Sequence, residues 1–160
     1  MSPMPPVGPN AKYFEDFKVG DSFTTQGRTF TKADGLFWSM YSGDMNPMHV
    51  DDDFAQKYGI FGGIFPPGLA VVGIASGLNE RLGLFSGTGL AMTKQTINYR
   101  KAVLPEETIH NVLTVLSLRA HATKPTGTVE FGYEIKKSDG TVAIDGSWEI
   151  YLATRNYQVD

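Results

Sequence analysis

No cysteine occurs among the 160 residues, which removes disulfides, thiolate nucleophiles and every Cys-based zinc or iron–sulfur centre. An excess of basic charge is also missing. Fourteen Lys and Arg stand against 17 Asp and Glu, a formal net charge of -3, so no overall positive field draws the chain onto phosphate backbones or acidic lipid, and nucleic acid is not an expected partner. No segment approaches the ~20 apolar residues of a membrane span. The opening Met1–Pro6, with prolines at positions 3, 5 and 6, lacks the apolar stretch of a secretory leader. The expectation is a soluble, cytoplasmic protein without a membrane partner. Imidazole is scarce as well: His49, His110 and His121 are the three histidines.

What is present fits one globular domain, since the length is one domain's worth on a prior of ~100–200 residues. Hydrophobic residues at 41%, with 18 Gly and 9 Pro, allow one core and many turns. Residues 1–12 are Pro-rich without periodicity and are expected as a flexible or extended tail, with the domain spanning 13–160. Ser22 to Thr31, rich in Thr, Phe and Ser, predicts a strand with Gly27 at a bulge or bend. Thr31-Lys32-Ala33-Asp34 resembles a capping box, and Leu36, Phe37, Met40 and Tyr41 recur at helical spacing, so a helix is expected over about 32–42. Gly43 ends it. Asp44 to His49 is expected as a loop because Pro47 disfavours helical geometry at Asn46. A further helical turn, capped by the Asp51–Asp53 cluster and closed by Gly59, follows. The Gly-rich segment 59–65 predicts a bent loop over the core.

Pro66-Pro67-Gly68 opens the longest helical pattern, Leu69 to Leu82, which Gly83 stops. Its small residues Ala70, Gly73, Ala75, Ser76 and Gly77 predict a central, buried helix closely approached by its neighbours, since a mid-helix Gly otherwise costs ~1 kcal/mol against Ala. Thr88–Tyr99, Thr108–Arg119, Thr128–Lys136 and Thr141–Leu152 alternate with period two and read as strands. Asp139-Gly140 marks a hairpin. Val129, Phe131, Tyr133 and Ile135 share one strand face, as do Val142, Ile144, Trp148, Ile150 and Leu152 on the next. The order predicts an α+β fold, an antiparallel sheet packed on one long helix.

Candidate chemistry centres on one short stretch. His49 stands five residues after Asp44 across a proline, an arrangement suited to holding a carboxylate and an imidazole on one water. His110 and His121 lie in or beside a strand, where a cross-strand or surface role is the simpler account. The first N–H groups of a helix lack intrahelical acceptors, and Pro66 and Pro67 contribute none. Gly68 N–H is therefore among the first free donors at a positive helix end, with no Cβ in the way.

Tyr41-Ser42-Gly43-Asp44-Met45-Asn46-Pro47-Met48-His49, with Asp51, Phe54 and Ala55 behind it, resembles the signature of the MaoC-like, (R)-specific enoyl-CoA hydratases. The resemblance runs from about Tyr13 to Leu152 and includes Gly59, Gly62-Gly63, Gly68 and the strand from Gln95 to Val103. It implies a single hot-dog fold, a curved antiparallel sheet wrapped around a long central helix, with two subunits pairing their sheets. It also implies an acyl-CoA thioester substrate that enters beside the dimer interface. By that resemblance Asp44 and His49 match the catalytic pair and Asn46 helps hold the loop. Gly68 matches the glycine whose N–H meets the thioester carbonyl, and Ser76 matches a serine near the site in some members.

The implied reaction is reversible hydration of a 2-enoyl-CoA to a 3-hydroxyacyl-CoA. Such a reaction implies no metal and no cofactor beyond the coenzyme A that the substrate carries. Arg100 and Lys101 are candidates for the CoA phosphates, against plain exposure at a strand end. Two departures from the family pattern stand out. Pro67 replaces a His before the glycine, and Pro105-Glu106-Glu107-Thr108 replaces a Gly-Asp-Thr turn, where a changed turn is expected. Two other functions compete, a hot-dog acyl-CoA thioesterase and a non-catalytic acyl-CoA-binding subunit.

Other motifs fail. The acidic loop puts Met48 and His49 where a calcium loop needs an oxygen ligand and Gly. Gly87-Thr88-Gly89 lacks the third glycine and the following helix of a dinucleotide site. Neither a P-loop nor a nucleophile elbow occurs. Phe37, Trp38, Met40, Tyr41, Phe61 and Phe65 are expected in an acyl pocket or in the core. Glycines in the helix and an unpaired edge strand point to a homodimer or a higher homo-oligomer.

Overall fold

The computed structural model describes residues 2–3 and 8–159. Part of the expected 1–12 tail lies outside the described residues. Within them, β1 (Ser2–Pro3) pairs with β8 (Gln158–Val159), and the Lys12 N–H donates to the Leu84 carbonyl at 3.0 Å.

The expected strand 22–31 is divided into β2 (Ser22–Thr24) and β3 (Arg28–Thr29). Both pair with one strand, β5 (Thr108–Ala120), on either side of a break. At the break the Thr25 N–H reaches the Asn111 carbonyl, and Gly27 passes so near β5 that a Cβ there would lie 3.2 Å from the Thr108 methyl.

β4 (Gly89–Tyr99), β6 (Thr126–Lys137) and β7 (Val142–Ala153) complete the sheet in the order β2-β5-β6-β7-β4, with β3 also on β5 and every pairing antiparallel. The hairpin expected at Asp139-Gly140 joins β6 to β7, with Gly140 at φ 85°. Val129, Phe131, Tyr133 and Ile135 are buried as the alternation requires. On β7 a bulge between Ile144 and Val142 breaks the alternation. Ala143 and Ile144 are both buried, and Val142 is only half-buried.

Four α-helices follow β3 in the chain, and the last of them is the one that packs on the sheet. The first, α1 (Lys32–Ser42), has the expected box, with Thr31 Oγ1 accepting from the Asp34 N–H and the Asp34 carboxylate accepting from the Thr31 N–H. Its buried residues are Gly35 and Ser39, not the apolar positions. At Gly35 the helix lies on Pro66 and Phe30, 3.5 and 3.7 Å from where a Cβ would stand, ordinary contact distance. Phe37, Met40 and Tyr41 are exposed, Tyr41 by 80%, and lie outside the core; Phe37 borders a cavity that Arg28, Trp38 and Gly73 also line.

α2 (Pro47–Val50) corrects the expected 44–49 loop. Asn46 is pushed out of helical geometry, as the following proline demands, and so becomes the N-cap, with Pro47 opening the turn. α3 (Asp52–Tyr58) is capped by Asp51 and ends at Gly59.

The last helix, α4 (Gly68–Glu80), begins one residue earlier and ends two earlier than the 69–82 pattern. It is buried on one side only: Ala70, Val71, Val72, Ala75, Leu78 and Asn79 face the sheet, while Leu69, Gly73, Ser76 and Gly77 are exposed. Of its two mid-helix glycines, Gly73 has the expected close neighbour, Trp38, 3.0 Å from a Cβ. Gly77 has none.

Between helix and sheet lie Phe17, Phe85 and Phe131, each ring within 6.3 Å of the next, and the Tyr133–Trp148 pair at 4.7 Å. A polar tie crosses this layer, with Asn111 Nδ2 donating to Asn79 Oδ1 at 2.8 Å and the Asn111 N–H donating to Thr25 Oγ1. At the turn before β5, Glu106 takes φ 69°, a left-handed conformation that a glycine holds without strain. Among the described residues no helix is long and apolar enough to cross a membrane.

Candidate active site

α1 ends at Gly43 in the left-handed conformation, φ 79°, and the chain there turns back on itself through short bonds. The Asp44 N–H donates to Ser42 Oγ at 3.2 Å, and Asp44 Oδ1 accepts from the Asn46 N–H at 3.4 Å. Asn46 Oδ1 in turn accepts from the Met48 N–H at 3.0 Å, while the His49 N–H donates to the Asn46 carbonyl at 2.8 Å. Asn46 therefore fixes both members of the pair. Asp44 Oδ2 remains directed at His49 Nε2, 3.9 Å away.

The other imidazole nitrogen decides the tautomer. His49 Nδ1 is 2.6 Å from the Phe65 carbonyl oxygen, which can only accept, so Nδ1 carries the hydrogen and, in the neutral ring, Nε2 presents a lone pair. The Phe65 ring packs edge-on against the imidazole at 5.0 Å, and the imidazole is largely buried while the carboxylate is open. Two acceptors 3.9 Å apart can both be reached by one water at ~2.8 Å from each.

The backbone beside the Phe65 carbonyl is tied at two points, by the Phe65 N–H on the Met48 carbonyl at 3.3 Å and, one residue earlier, by Asp52, which the sequence singled out only as part of a cap. Asp52 Oδ1 accepts from the Ile64 N–H at 3.1 Å, and Oδ2 accepts from Gln56 at 2.7 Å. Those bonds, the Ile64 one foremost, hold its carboxyl below the usual range. Asp52→Ala is expected to lower turnover about tenfold to a hundredfold through loss of His49 alignment, with a change in melting temperature of a few degrees at most. Steady-state kinetics and thermal denaturation together check it.

Asp44, His49, Phe65, Gly68 and Tyr99 open onto one cleft of about 550 Å³. Its floor is the start of α4, whose N-cap is Pro67, without a side-chain cap. The Gly68 N–H has no acceptor among the described residues. Trp38, Phe61 and Phe65 are the aromatics, of those expected in a pocket, that reach this cleft.

Tyr99, at the end of β4, is a cleft residue that sequence reasoning missed. Its ring lies over Gly68, with Cζ 2.8 Å from where a Cβ would stand and Cε1 closer still. Burial pushes its hydroxyl up. Its neighbour Tyr133 is pushed up to about 12 by burial first, with Tyr99 and Asp145 adding to it. The only signal in the sequence was a tyrosine closing a strand.

Of the remaining candidates, Arg100 and Lys101 reach the cleft and Ser76 does not. Arg100 borders the cleft, but its guanidinium is committed to Asp145 through bonds of 2.7 and 3.2 Å. That pair, together with Asn98, holds the Asp145 carboxyl low and raises Arg100. Lys101 borders the same cleft and makes no salt bridge among the described residues. Ser76 is not there. It lies about two turns further along α4, roughly 12 Å from Gly68 at 1.5 Å per residue, and opens onto a second cavity. His110 sits in β5 opposite Lys136. His121 Nδ1 accepts from the Thr123 and Lys124 N–H groups in a turn.

With this geometry in hand, the likeness to known proteins is specific. A family model described as a MaoC like domain matches residues 16–136. The chain belongs to that family. A protein named (R)-specific enoyl-CoA hydratase, from Rhodospirillum rubrum, is 31% identical to this MaoC-like chain over 107 residues, 66% of the chain and 71% of the relative. A solved structure from Archaeoglobus, described as a monoamine oxidase regulatory protein, superposes with a TM-score of 0.83 at 24% identity, covering 92% of this chain and 98% of its own. A Mycobacterium tuberculosis protein described as a double hot-dog fold superposes with a TM-score of 0.80 at 19% identity, covering 94% of this chain and 47% of its own. The fold of this MaoC-like domain is the hot-dog fold, a six-stranded antiparallel sheet, not closed, with α4 as its central helix.

Proposed function

We propose that the protein hydrates 2-enoyl-CoA thioesters reversibly to 3-hydroxyacyl-CoAs, and that Asp44, His49 and Gly68 carry the reaction. The observation behind this reading is the pair of acceptors, Asp44 Oδ2 and His49 Nε2, 3.9 Å apart above a helix start with a free N–H. A water held by both acceptors keeps its lone pairs turned outward, toward C3 of an enoyl group. Attack forms the C3–O bond and moves the C2–C3 π electrons toward the thioester oxygen, where the Gly68 N–H and the positive helix end meet the growing charge. The pair takes one proton from the water and a proton returns to C2. Atoms balance without any group beyond substrate and water.

Coenzyme A enters as part of the substrate. Lys101 suits its phosphates better than Arg100, whose charge Asp145 already meets. Lys101→Ala is expected to raise KM for CoA thioesters about two- to fivefold with kcat unchanged, the difference shrinking as salt is added. A salt series of initial rates checks it.

A homodimer fits the same reading. β4 is an edge strand exposed along most of its length, and an unpaired edge of that length invites a second copy. The function is tested by mixing purified protein with crotonyl-CoA and following enoyl-thioester absorbance while a thiol reagent reports free CoA. Absorbance loss without thiol release is expected. Thiol release would instead mark a thioesterase, and silence across short, long and branched enoyl-CoAs would leave a binding subunit.

A further inference from the structure

Away from the Asp44–His49 pair, two buried N–H groups have no acceptor. Trp148 Nε1 and Asn79 Nδ2 make no hydrogen bond among the described residues, and each residue is only 2% exposed. A shielded donor without a partner leaves its desolvation uncompensated. The indole N–H can only donate, whichever way the Asn79 amide is turned.

Both residues border the second cavity, of about 230 Å³, into which Ser76 and Glu80 also open. Its other walls are hydrocarbon and aromatic, Leu90, Met92, Phe85 and Ile150 among them, and it has no Lys, Arg or His. Glu80 is the charged group there, and its Oε1 accepts from Ser86 at 2.9 Å. A carboxylate would meet that charge with no cation to offset it. A neutral hydroxyl offers an acceptor for the Trp148 or Asn79 N–H and a donor for Glu80.

The cavity is also in line with the proposed active site. Gly68, Val72, Ser76 and Asn79 fall on one side of α4 at the helical repeat, so the cleft at Gly68 and the cavity at Asn79 open on one stripe of the helix. The roughly 12 Å from Gly68 to Ser76 is on the order of ten carbons of extended acyl chain. We propose that this cavity binds a neutral oxygen, a hydroxyl foremost, carried toward the far end of the acyl chain. The substrate class is then oxygenated enoyl-CoAs rather than plain alkyl ones. The identification of the chain as substrate rests on the hydratase reading above; the cavity's preference does not.

The test compares two saturated ligands that cannot be hydrated, ω-hydroxydecanoyl-CoA and undecanoyl-CoA, which have equal chain atoms, by calorimetry on the full chain. The hydroxylated ligand is expected to bind about tenfold more tightly. Trp148→Phe, which removes the N–H and keeps a ring, is expected to abolish most of that ratio. Ser76→Leu, at an exposed helix position, fills the cavity and serves if the tryptophan variant does not fold. Equal binding, tighter binding of the alkyl ligand, or a ratio that survives both substitutions would overturn the inference. A crotonyl-CoA assay run alongside separates the two proposals. Turnover without a hydroxyl preference removes the cavity's role alone, and a hydroxyl preference without turnover removes the hydratase reading alone.

Discussion

Asp44→Asn and His49→Ala are each expected to lower kcat for crotonyl-CoA hydration by about 10²- to 10⁴-fold, the range for a positioned acid–base group. Asparagine keeps the shape of the side chain and an oxygen for the Asn46 N–H, so the 42–46 turn survives. It presents to the water a weaker acceptor or an N–H in place of a carboxylate oxygen. Alanine at position 49 removes both the lone pair and the tie to Phe65. Because the two groups share one water, the double variant is expected to be about as slow as the slower single one. Affinity for a saturated acyl-CoA is expected to change little in Asp44→Asn. A variant with Asn at position 44 that retains a tenth of the wild-type kcat would exclude the pair as the acid–base centre.

Gly68→Ala is expected to lower kcat/KM by about 10²- to 10³-fold, the loss typical of one oxyanion donor. The added methyl would stand 2.8 Å from Tyr99 Cζ, too close for either group to stay. Tyr99 is 54% exposed and at the free end of its side chain, so it gives way, and the melting temperature is expected to fall by only a few degrees. A companion variant separates crowding from blockage. Tyr99→Ala added to Gly68→Ala makes room for the methyl, and the double variant is expected to regain thermal stability but not activity, because the methyl still covers the approach to the N–H. Recovery of activity in the double variant would assign the loss to the displaced ring.

The local chemistry of the site was legible because each signal is short-range. A proline restricts the residue before it and opens a helical turn. Asn46 caps that turn, and Gly43 supplies a left-handed end. The same prolines made Asp44 to His49 look like loop throughout, since four helical residues are too few for any periodicity. Strands β4 to β7 and the 139–140 hairpin were equally local. The break at 25–27 was not, because it answers to Thr108 and Asn111 on a strand some eighty residues away. The exposed apolar side of α1 escaped for a similar reason: which side faces inward depends on what the helix packs against, with Pro66 and Phe30 beside Gly35.

Composition and spacing by themselves determined an α+β fold without thiol chemistry. They also singled out one Asp/His pair across a proline and one glycine at the start of a long helix. Tertiary structure alone decided the rest. It joined the Phe65 carbonyl to His49 Nδ1 and so chose the tautomer, and it tied that carbonyl's loop to Asp52. It laid Tyr99 over Gly68, paired Arg100 with Asp145, and placed Ser76 at a separate cavity beside Asn79 and Trp148. Each of these joins residues separated in the chain, several of them through backbone groups. Hydrogen bonds and ring contacts act over a few ångströms in space, whereas helical and strand periodicity reports only which way a side chain leaves its own backbone.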